Sequence, residues 1–498
     1  MVLFLSKGVK VNIKTIKKNS NKIILSEYDL IIIPCHRKNP LLPIIFEEFK
    51  IKKNDIKKLI KKTHFEGEKN KTLLLTNVFN LNIIFVSCGD VINNSSLENA
   101  FTVGAKEALR MKYKNLLVFP HIDNLKIDNY ESFIVRGLIW GIYKFDNFKT
   151  DKKSSITLNI AYEKSSLSKI NYGLTQGKII HKIANIANSP ANYATPLYIA
   201  KYAQNLVKKG FEVNVLRKKE LIKKKCGGIL SVAEGSINEP NLVILKKIGK
   251  IDTSPIIIIG KTVTFDSGGI SLKPNKNMGW MRYDKCGGMA VLGLMEILSN
   301  LNINRSVIGI LGIAENMPGG NATKPGDIIT SFNGKTIEIL NTDAEGRLIL
   351  ADALGIASKY NPECIIDIAT LTGAVISTLG NSAAGILGNN KNLINILQKC
   401  GEETGERLWE LPIYKDFIDD MKSDFADLSN MSKSGNAGTA TAAAFLSNFV
   451  PSNIPWAHID IAGMAWQTNN SETQDSGATL FGIRLLLNWL SRNNVINN

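Results

Sequence analysis

Short apolar runs alternate with helix-like stretches along most of this chain, and that alternation limits its fold more than any other feature. The runs Ile256–Gly260, Val307–Ala314 and Cys364–Ala369 are typical of buried strands. Between them, Gly287–Leu301 and Arg347–Lys359 have the apolar spacing of helices. Strands and helices that alternate in this way build α/β folds, in which helices pack against a sheet. We therefore predict an α/β protein.

The length of the chain predicts two domains. A chain of 498 residues is longer than one hydrophobic core usually serves. We predict a smaller N-terminal α/β domain over residues 1–150, a polar linker over 151–168, and a larger C-terminal domain over 169–498. The larger domain is expected to be α/β with a central mixed sheet flanked by helices.

The same patterns predict individual elements. In the first domain, strands are expected at the N-terminus, Lys22–Leu25, Leu30–Pro34, Thr72–Leu75, Ile83–Ser87 and Leu116–Phe119, and helices at Ser96–Tyr113 and Tyr130–Tyr143. In the second domain, further helices are expected at Tyr172–Ile186 and Thr439–Phe449. The pair Asn333-Gly334 predicts a hairpin between Ile328–Phe332 and Thr336–Leu340.

Composition and cysteine usage predict a cytoplasmic protein. Apolar residues make up 44% of the chain and charged residues 21%, as in ordinary globular proteins. The N-terminus has no signal-peptide pattern, and no apolar run approaches the ~20 residues of a membrane span. The six cysteines are scattered without CxxC pairs, so we expect reduced thiols and no membrane partner.

The net charge of +17 is concentrated in the first 150 residues, which contain 25 Lys and Arg against 14 Asp and Glu. A basic domain attracts nucleic acid through phosphate contacts. The other explanation is a richness in lysine, isoleucine and asparagine along the whole chain, and we favour it. Nucleic acid binding is therefore kept as a secondary hypothesis.

Two acid-rich segments, 261–284 and 341–348, carry the side chains best suited to chemistry. Together they contribute four carboxylates, two lysines and one arginine: Asp266, Asp284, Asp343, Glu345, Lys261, Lys273 and Arg347. We predict that both lie at strand ends, with Asp343, Glu345 and Arg347 on one side of a strand at a period of two. This inventory suits a pair of divalent metal ions.

Taken singly, these residues have plain structural explanations. Asp266, before Ser-Gly-Gly, is typical of a turn, Asp284 of a helix N-cap, and Lys273 of a solvated lysine. The sequence Gly260-Lys261-Thr262 does not belong to a P-loop, because that motif requires glycine where this chain has Pro255.

Six motifs together resemble the leucyl aminopeptidase (cytosol aminopeptidase) family, of the bacterial type. They are GKTVTFDSGGISLKP (260–274), MRYDKCGG (281–288), NTDAEGRL (341–348), ATLTGA (369–374), KSDFADLSN (422–430) and PWAHIDIAG (455–463). The resemblance covers roughly residues 170–485 and extends only loosely to the first domain. It implies a macro-like N-terminal domain and a C-terminal metallopeptidase domain.

The resemblance also implies a centre of two divalent ions per subunit. Asp266 and Glu345 would bridge the ions, Asp343 would complete one of them, and Lys261 with Asp284 would complete the other. Mn²⁺ or Zn²⁺ is expected, although Co²⁺ and Mg²⁺ suit the same donors and the sequence does not rank them.

Roles in catalysis and specificity follow from the same resemblance. Lys273 would stabilise the oxyanion of the reaction, and Arg347 would hold a bicarbonate that acts as general base. A helix-start ion pair with Glu345 is the structural alternative for Arg347. The pocket for the N-terminal side chain would consist of small or apolar residues that suit leucine: Met281, Thr370, Gly373, Ala462 and Ala465.

The chain departs from the family pattern at two positions. Thr262 stands where the family usually has glycine after the metal-binding lysine, and Gly319 stands where it usually has serine or another small residue. Neither departure removes a ligand, but Thr262 is expected to restrict the backbone beside Lys261.

The leading hypothesis is a two-metal aminopeptidase that releases N-terminal residues from peptides, with leucine and other apolar residues favoured. The resemblance further implies a homohexamer. A DNA-binding or architectural role through the basic N-terminal domain is the alternative from another class. A peptidase-like scaffold without activity is disfavoured, because all seven chemical positions are present.

Overall fold

Each of the two units of this chain is built around its own sheet. The computed structural model describes residues 2–4, 9–17, 23–42, 45–48, 51–122, 124–150 and 154–496. One compact unit comprises residues 1–185 with 469–476, and the other comprises 186–468 with 477–498. Both contain a sheet flanked by helices, which confirms the predicted α/β class.

The first unit carries the N-terminal sheet. Its strands are β1 (Val2–Phe4), β2 (Val9–Lys17), β3 (Leu30–His36), β4 (Asn39–Pro40), β5 (Thr72–Val78), β6 (Leu81–Ser87), β7 (Asn115–Val118) and β8 (Ser154–Tyr162). Its helices are α1 (Ile45–Glu48), α2 (Lys53–Lys61), α3 (Asn94–Arg110), α4 (Tyr130–Gly141) and α5 (Leu167–Asn188), and the last three residues of α5 belong to the second unit.

The strands of this sheet follow the order β1-β2-β8-β7-β3-β6-β5, with β4 beside β3. The five inner strands run parallel, whereas β1 and β5 are antiparallel to their neighbours. Alternate residues of β3 are buried on opposite faces: Leu30 and Ile32 pack in the core that contains Phe101, and Ile31 and Ile33 pack in the core that contains Phe46. Burial on both faces explains why these strands are continuously apolar.

The second unit carries the larger sheet. Its strands are β9 (Glu212–Arg217), β10 (Asn241–Lys247), β11 (Ile251–Asp266), β12 (Arg305–Asn316), β13 (Ile328–Thr330), β14 (Thr336–Glu338), β15 (Cys364–Ala369), β16 (Ala384–Gly388), β17 (Leu408–Glu410), β18 (Leu428–Ser429), β19 (Trp456–Asp460), β20 (Trp466–Gln467) and β21 (Gly477–Ala478). Its helices are α6 (Pro196–Gln204), α7 (Lys218–Lys223), α8 (Gly227–Ala233), α9 (Cys286–Leu298), α10 (Gly346–Ser358), α11 (Gly373–Leu379), α12 (Lys391–Thr404), α13 (Lys415–Asp419), α14 (Gly438–Ser447) and α15 (Ile483–Arg492).

The central strands of this mixed sheet position the candidate site. The order is β17-β16-β19-β15-β11-β12-β10-β9, and β19, β15, β11 and β12 are parallel neighbours. The carboxyl ends of these four strands therefore meet at one edge of the sheet. In open α/β sheets, that edge is where ligands bind.

Most predicted elements are confirmed. The six predicted helices correspond to α3, α4, α5, α9, α10 and α14, and the Asn333-Gly334 hairpin joins β13 to β14 with Gly334 at φ +91°. The N-terminal strand prediction corresponds to β1, although Met1 and residues 5–8 lie outside the described residues.

Two predictions of the first unit are wrong. The described part of the segment Lys22–Leu25 is not a strand, because a short 3-10 turn begins at Leu25. The side chains of Ile23 and Leu25 are buried, whereas that of Ile24 is exposed. The predicted linker 151–168 contains β8, an inner strand of the sheet. Buried Ile156, Leu158 and Ile160 alternate along β8, which explains its place between two parallel neighbours.

Among the described residues, no helix combines the length and the apolar character needed to cross a bilayer.

Candidate active site

Strand β11 carries the first two charged residues of the site. The strand extends beyond the predicted run to Asp266, so that Lys261 and Asp266 both lie within it and are buried. A turn follows immediately, with Gly268 at φ +89° and its amide donating to Asp266 Oδ1 at 3.0 Å. The turn thus fixes the Asp266 carboxylate and returns the chain towards Lys273.

The second acidic segment is a turn and not a strand end, which corrects the sequence prediction. Residues 339–345 connect β14 to α10, and they include the acidic turn 341–345. Glu345 has helical backbone angles, and Arg347 belongs to α10. Asn341 Oδ1 accepts from the Asp343 amide at 2.8 Å, which closes an Asx turn. Side chains of Asp343, Glu345 and Arg347 are therefore not arranged at the period of a strand.

Charged side chains from both segments converge at the edge of the sheet. Carboxylate oxygens of Asp266, Asp343 and Glu345 all lie within 4.8 Å of one another. Lys261 Nζ is 2.8 Å from Glu345 Oε1 and 2.9 Å from Asp284 Oδ1. Because these atoms come from β11, the turn 341–345 and the region before α9, only the folded chain brings them together.

Lys273 and Asp284 complete the charged cluster. Lys273 Nζ is 2.8 Å from Asp266 Oδ2 and also pairs with Asp343. Asp284 directly follows the 3-10 helix Met278–Tyr283, and its Oδ1 accepts from the Thr370 hydroxyl at 2.7 Å. Asp284 Oδ2 is buried and has no hydrogen-bond partner among the described residues. The structural alternatives for these two residues are therefore wrong. Lys273 is not a solvated lysine, because it pairs with two carboxylates, and Asp284 is not the N-cap of a helix, because its carboxylate contacts Lys261.

Burial raises the pKa values of three of the four carboxylates, and the neighbouring lysines lower that of the fourth. Burial, reinforced by Glu345, raises the pKa of Asp266 to about 7, although Lys273 and Lys261 oppose the shift. Burial also raises the pKa of Asp284 and of Asp343. For Glu345, burial acts upward but Lys261 and Lys273 prevail, so its pKa is lowered. Four carboxylates share two ammonium groups here, and the cluster is short of positive charge.

The two lysines respond in the opposite way. Burial acts to lower the pKa of Lys261, but Asp284, Glu345 and Asp266 outweigh it and the net pKa is raised. The pKa of Lys273 is also raised, because Asp266, Glu345 and Asp343 outweigh its burial. Both side chains are cationic in the protein without metal.

The donor set fits divalent metal ions. Three carboxylates with oxygens close enough to share an ion, an excess of negative charge and the unpartnered Asp284 Oδ2 are each expected of such a site. Gly346 leaves the space that the Lys261 amine occupies: a Cβ at this position would lie 2.6 Å from Lys261 Cε and 2.7 Å from Nζ.

Arg347 lies behind the cluster. It is 7% exposed, and its Nη1 donates to the carbonyl of Asn430 at 2.7 Å. This contact, and not the predicted alternative of an ion pair with Glu345, holds the guanidinium. Burial lowers its pKa to about 10 against the opposing effect of Glu345 and Asp460. Arg347 Nε is buried without a hydrogen-bond partner among the described residues.

A cavity of about 390 Å³ opens over the charged cluster. Lys261, Asp266, Lys273, Asp284, Asp343 and Glu345 all line it. Of the predicted pocket residues, Met281, Thr370, Gly373 and Ala462 line the same cavity. Ala465 is fully buried and is not among the lining residues. Its contact with a substrate side chain stays a prediction.

Sequence reasoning missed two asparagines that brace the site. Asn316, at the end of β12, donates 2.8 Å to Asp266 Oδ1 and 3.0 Å to the Thr342 carbonyl, and so joins the two acidic segments. Asn430 donates to the Asn341 carbonyl at 2.6 Å and accepts from the Leu340 amide at 2.8 Å. Asn430 is the last residue of the motif KSDFADLSN (422–430). For Asn316, the only indication in the sequence is its position after an apolar strand.

Thr262 is accommodated by a glycine on helix α9. Its hydroxyl donates to the Gly260 carbonyl at 3.1 Å, and the side chain is fully buried. A Cβ built on Gly288 would overlap the Thr262 hydroxyl oxygen. The departure from the family pattern at position 262 is thus matched by the absence of a side chain opposite it.

Comparisons with known proteins identify the family. Residues 182–487 match the catalytic domain of the cytosol aminopeptidase family, and residues 45–152 match its N-terminal domain. A probable cytosol aminopeptidase of Geobacter sulfurreducens is 36% identical over 484 residues, 92% of this chain and 96% of that protein. One of Rickettsia bellii is 37% identical over 418 residues, 81% of each chain.

Solved structures agree with this assignment. The bottromycin maturation enzyme BotP in complex with Mn has a TM-score of 0.82 and 25% identity, covering 94% of this chain and all of that one. The chain belongs to the cytosol aminopeptidase family, which confirms the resemblance seen in the sequence. It is therefore a member of a family of peptidases.

Proposed function

We propose that this chain is a two-metal aminopeptidase that releases apolar N-terminal residues, leucine among them, from peptides. The observation that carries the proposal is the convergence of three carboxylates within 4.8 Å, with Lys261 and Asp284 beside them, on the floor of an open cavity. Relatives named as aminopeptidases support the reaction, and the Mn named with BotP supports the metal.

Each side chain of the cluster has a role in this proposal. Asp266 and Glu345 would be ligands of both of two Mn²⁺ or Zn²⁺ ions, Asp343 would be a further ligand of one ion, and Lys261 with Asp284 would be ligands of the other. When bound, such ions would supply a water-derived nucleophile near neutral pH and would polarise the scissile carbonyl. Lys261 binds a metal only as the free amine, so loading the site requires that it lose its proton.

Lys273 and Arg347 act on the substrate side of the reaction. Lys273 keeps its proton, because three carboxylates raise its pKa, and it stabilises the negative charge that develops on the substrate carbonyl oxygen. Arg347 would hold a bicarbonate ion, and that ion would act as the general base. The unpartnered Nε of Arg347 supports this role, since a bicarbonate oxygen would accept a hydrogen bond from it. The cavity walls formed by Met281, Thr370 and Gly373 receive the first side chain.

Hydrolysis of leucinamide before and after chelation tests the proposal. We expect the chelated protein to lose turnover and to regain it when Mn²⁺ or Zn²⁺ is added. Asp343→Ala should abolish turnover while the fold is kept, as judged by circular dichroism. Asp419→Ala is the matched control, because this carboxylate is an exposed partner of Lys415 and Lys422. Turnover that survives thorough chelation would exclude the metal mechanism.

A further inference from the structure

Three aromatic rings stack beside the cavity, and the two outer rings line it. The ring centroids of Trp280 and Tyr283 are 6.0 Å apart with planes inclined by 17°, and those of Tyr283 and Trp466 are 5.8 Å apart and inclined by 16°. Both tryptophans line the cavity above the charged cluster. Tyr283, between them, is 2% exposed.

Neighbouring contacts fix the stack in place. The guanidinium of Arg282 lies 5.5 Å from the Trp280 ring centroid and 5.0 Å from that of Tyr283. Trp280 belongs to the 3-10 helix Met278–Tyr283, whereas Trp466 belongs to β20, which pairs with β21. A wall supported from two elements is preorganised, so little conformational entropy is lost when a ligand ring packs against it.

The cavity lining has two different characters. Thr370, Gly373 and Ala462 are small and leave room beside Met281, whereas the two tryptophans present broad aromatic surfaces. A volume of about 390 Å³ lies in the range of clefts that hold ligands larger than one side chain. Successive side chains of an extended peptide point to opposite sides, so two adjacent residues would contact different walls.

We propose that Trp280 and Trp466 form a subsite for the residue that follows the scissile bond, and that this enzyme favours peptides whose second residue is aromatic. The inference rests on the proposed aminopeptidase function, in which the small-residue wall receives the first side chain. An aromatic second residue stacks on the tryptophans in an offset geometry. Arg282, whose guanidinium lies over the Trp280 and Tyr283 rings, disfavours a lysine or arginine at the same place by charge repulsion.

Kinetics with a matched substrate series test this subsite. Leucinamide, Leu-Ala, Leu-Phe and Leu-Lys share the first residue and differ only after the scissile bond. For the Mn²⁺-loaded enzyme we expect kcat/KM to be highest for Leu-Phe and lowest for Leu-Lys among the dipeptides. Trp280→Ala and Trp466→Ala should each lower the ratio of kcat/KM for Leu-Phe to that for leucinamide by about tenfold, the scale of a lost apolar contact in a specificity pocket.

Control variants separate the subsite from general damage. Trp409→Ala removes an exposed tryptophan of the same unit that does not line the cavity, and it should leave the ratio unchanged. Trp466→Phe should keep most of the preference, since an aromatic surface remains. Trp466 lies on a different element from Asp284, so its variants also report the subsite apart from any change around that carboxylate.

Two results would overturn the inference. One is an unchanged ratio in both alanine variants, whether or not both substrates lose activity equally. The other is a loss that depends on the first residue when Phe-Ala is compared with Leu-Ala. A failure of the proposed function can be told apart from a failure of the subsite. A metal-loaded wild-type enzyme that cleaves none of these substrates contradicts the aminopeptidase assignment, whereas one that cleaves leucinamide without any second-residue preference contradicts only the subsite.

Discussion

Gly346 provides the sharpest test at the scale of single residues, because its lack of a side chain gives Lys261 its place. In Gly346→Ala, the new Cβ would lie 2.7 Å from Lys261 Nζ and would displace the amine from Asp284 and Glu345. We expect a folded protein whose turnover of leucinamide falls by about a hundredfold, as for a misplaced catalytic group. The measurement is kcat together with bound metal per chain.

Gly320→Ala is the control for this change, because a Cβ at Gly320 meets no atom within 4 Å. Full activity and full metal content in Gly346→Ala would contradict the assigned role of Lys261.

Lys273 separates transition-state stabilisation from metal binding. Lys273→Ala should lower kcat by about 10²–10³-fold, the usual loss when a preorganised oxyanion donor is removed. Bound metal should change less than kcat, because Lys273 is not among the proposed ligands. Element analysis of the same preparation used for kinetics measures both quantities. Parallel loss of metal and turnover would assign Lys273 to the metal site instead.

Metal affinity is expected to depend on pH through Asp266. Burial, with Glu345, raises the pKa of this carboxyl to about 7 in the protein without metal. Below that pH a proton occupies the carboxylate and competes with the ion; above it, the carboxylate is free. The metal-free fold correspondingly gains stability as pH falls through about 7, since its folded pKa exceeds the ordinary value. Release of the Lys261 proton acts in the same direction on metal binding.

Titration of Mn²⁺ against a competing chelator at about pH 6 and about pH 8 measures this effect. We expect weaker apparent binding at the lower pH, by about tenfold per unit for each displaced proton. Equal affinity at both values, after correction for the chelator, would contradict the competition.

At the scale of elements, the close approach of α9 to β11 holds the site together. Gly288→Ala should destabilise the second unit by about 1–3 kcal/mol, because its Cβ overlaps the buried Thr262 side chain. Thr262→Gly should restore much of this loss in the double variant. Gly287→Ala is the control: its Cβ meets the backbone carbonyl of Ile368, which Thr262→Gly does not move. Urea unfolding measures the free energies as a double-mutant cycle.

Additive effects of Gly288→Ala and Thr262→Gly would show that the two positions are not coupled, and would remove this explanation of the threonine.

The elements that the sequence predicted well are those with an unbroken local signal. The isoleucines of β11 and the paired-turn residues Asn333-Gly334 depend on their immediate neighbours, and both predictions are confirmed. Strand β8 is not predicted although Ile156, Leu158 and Ile160 alternate, because the polar residues on both sides of this alternation are typical of a linker. The turn at 341–345 was misassigned because its geometry depends on Asn430, which lies about ninety residues away.

The candidate site was also predictable only in part. The family motifs identified its charged residues, and six of these line one cavity in the structure. The sequence does not indicate that Trp280 and Trp466 lie close together. They belong to separate elements, and Tyr283 stacks between them only in the folded chain. The pocket role of Ala465 rests on its motif position alone, and its burial is visible only in the structure.

At the scale of the whole molecule, the basic first unit and the assembly state stay predictions. The resemblance implies a homohexamer, and excess lysine in residues 1–150 permits nucleic acid binding. If the first domain has a DNA-binding or architectural role, the protein should retain a DNA duplex at about physiological salt. Binding that depends only on a general excess of lysine should be lost as the salt concentration rises. Electrophoretic retention across a salt series distinguishes the two, and loss at modest salt would exclude an architectural role.

Anomalous scattering from crystals grown with Mn²⁺ would locate the proposed ions. We predict two peaks per chain among Lys261, Asp266, Asp284, Asp343 and Glu345, with Asp266 and Glu345 next to both peaks. A single peak at full occupancy, or peaks away from these side chains, would contradict it.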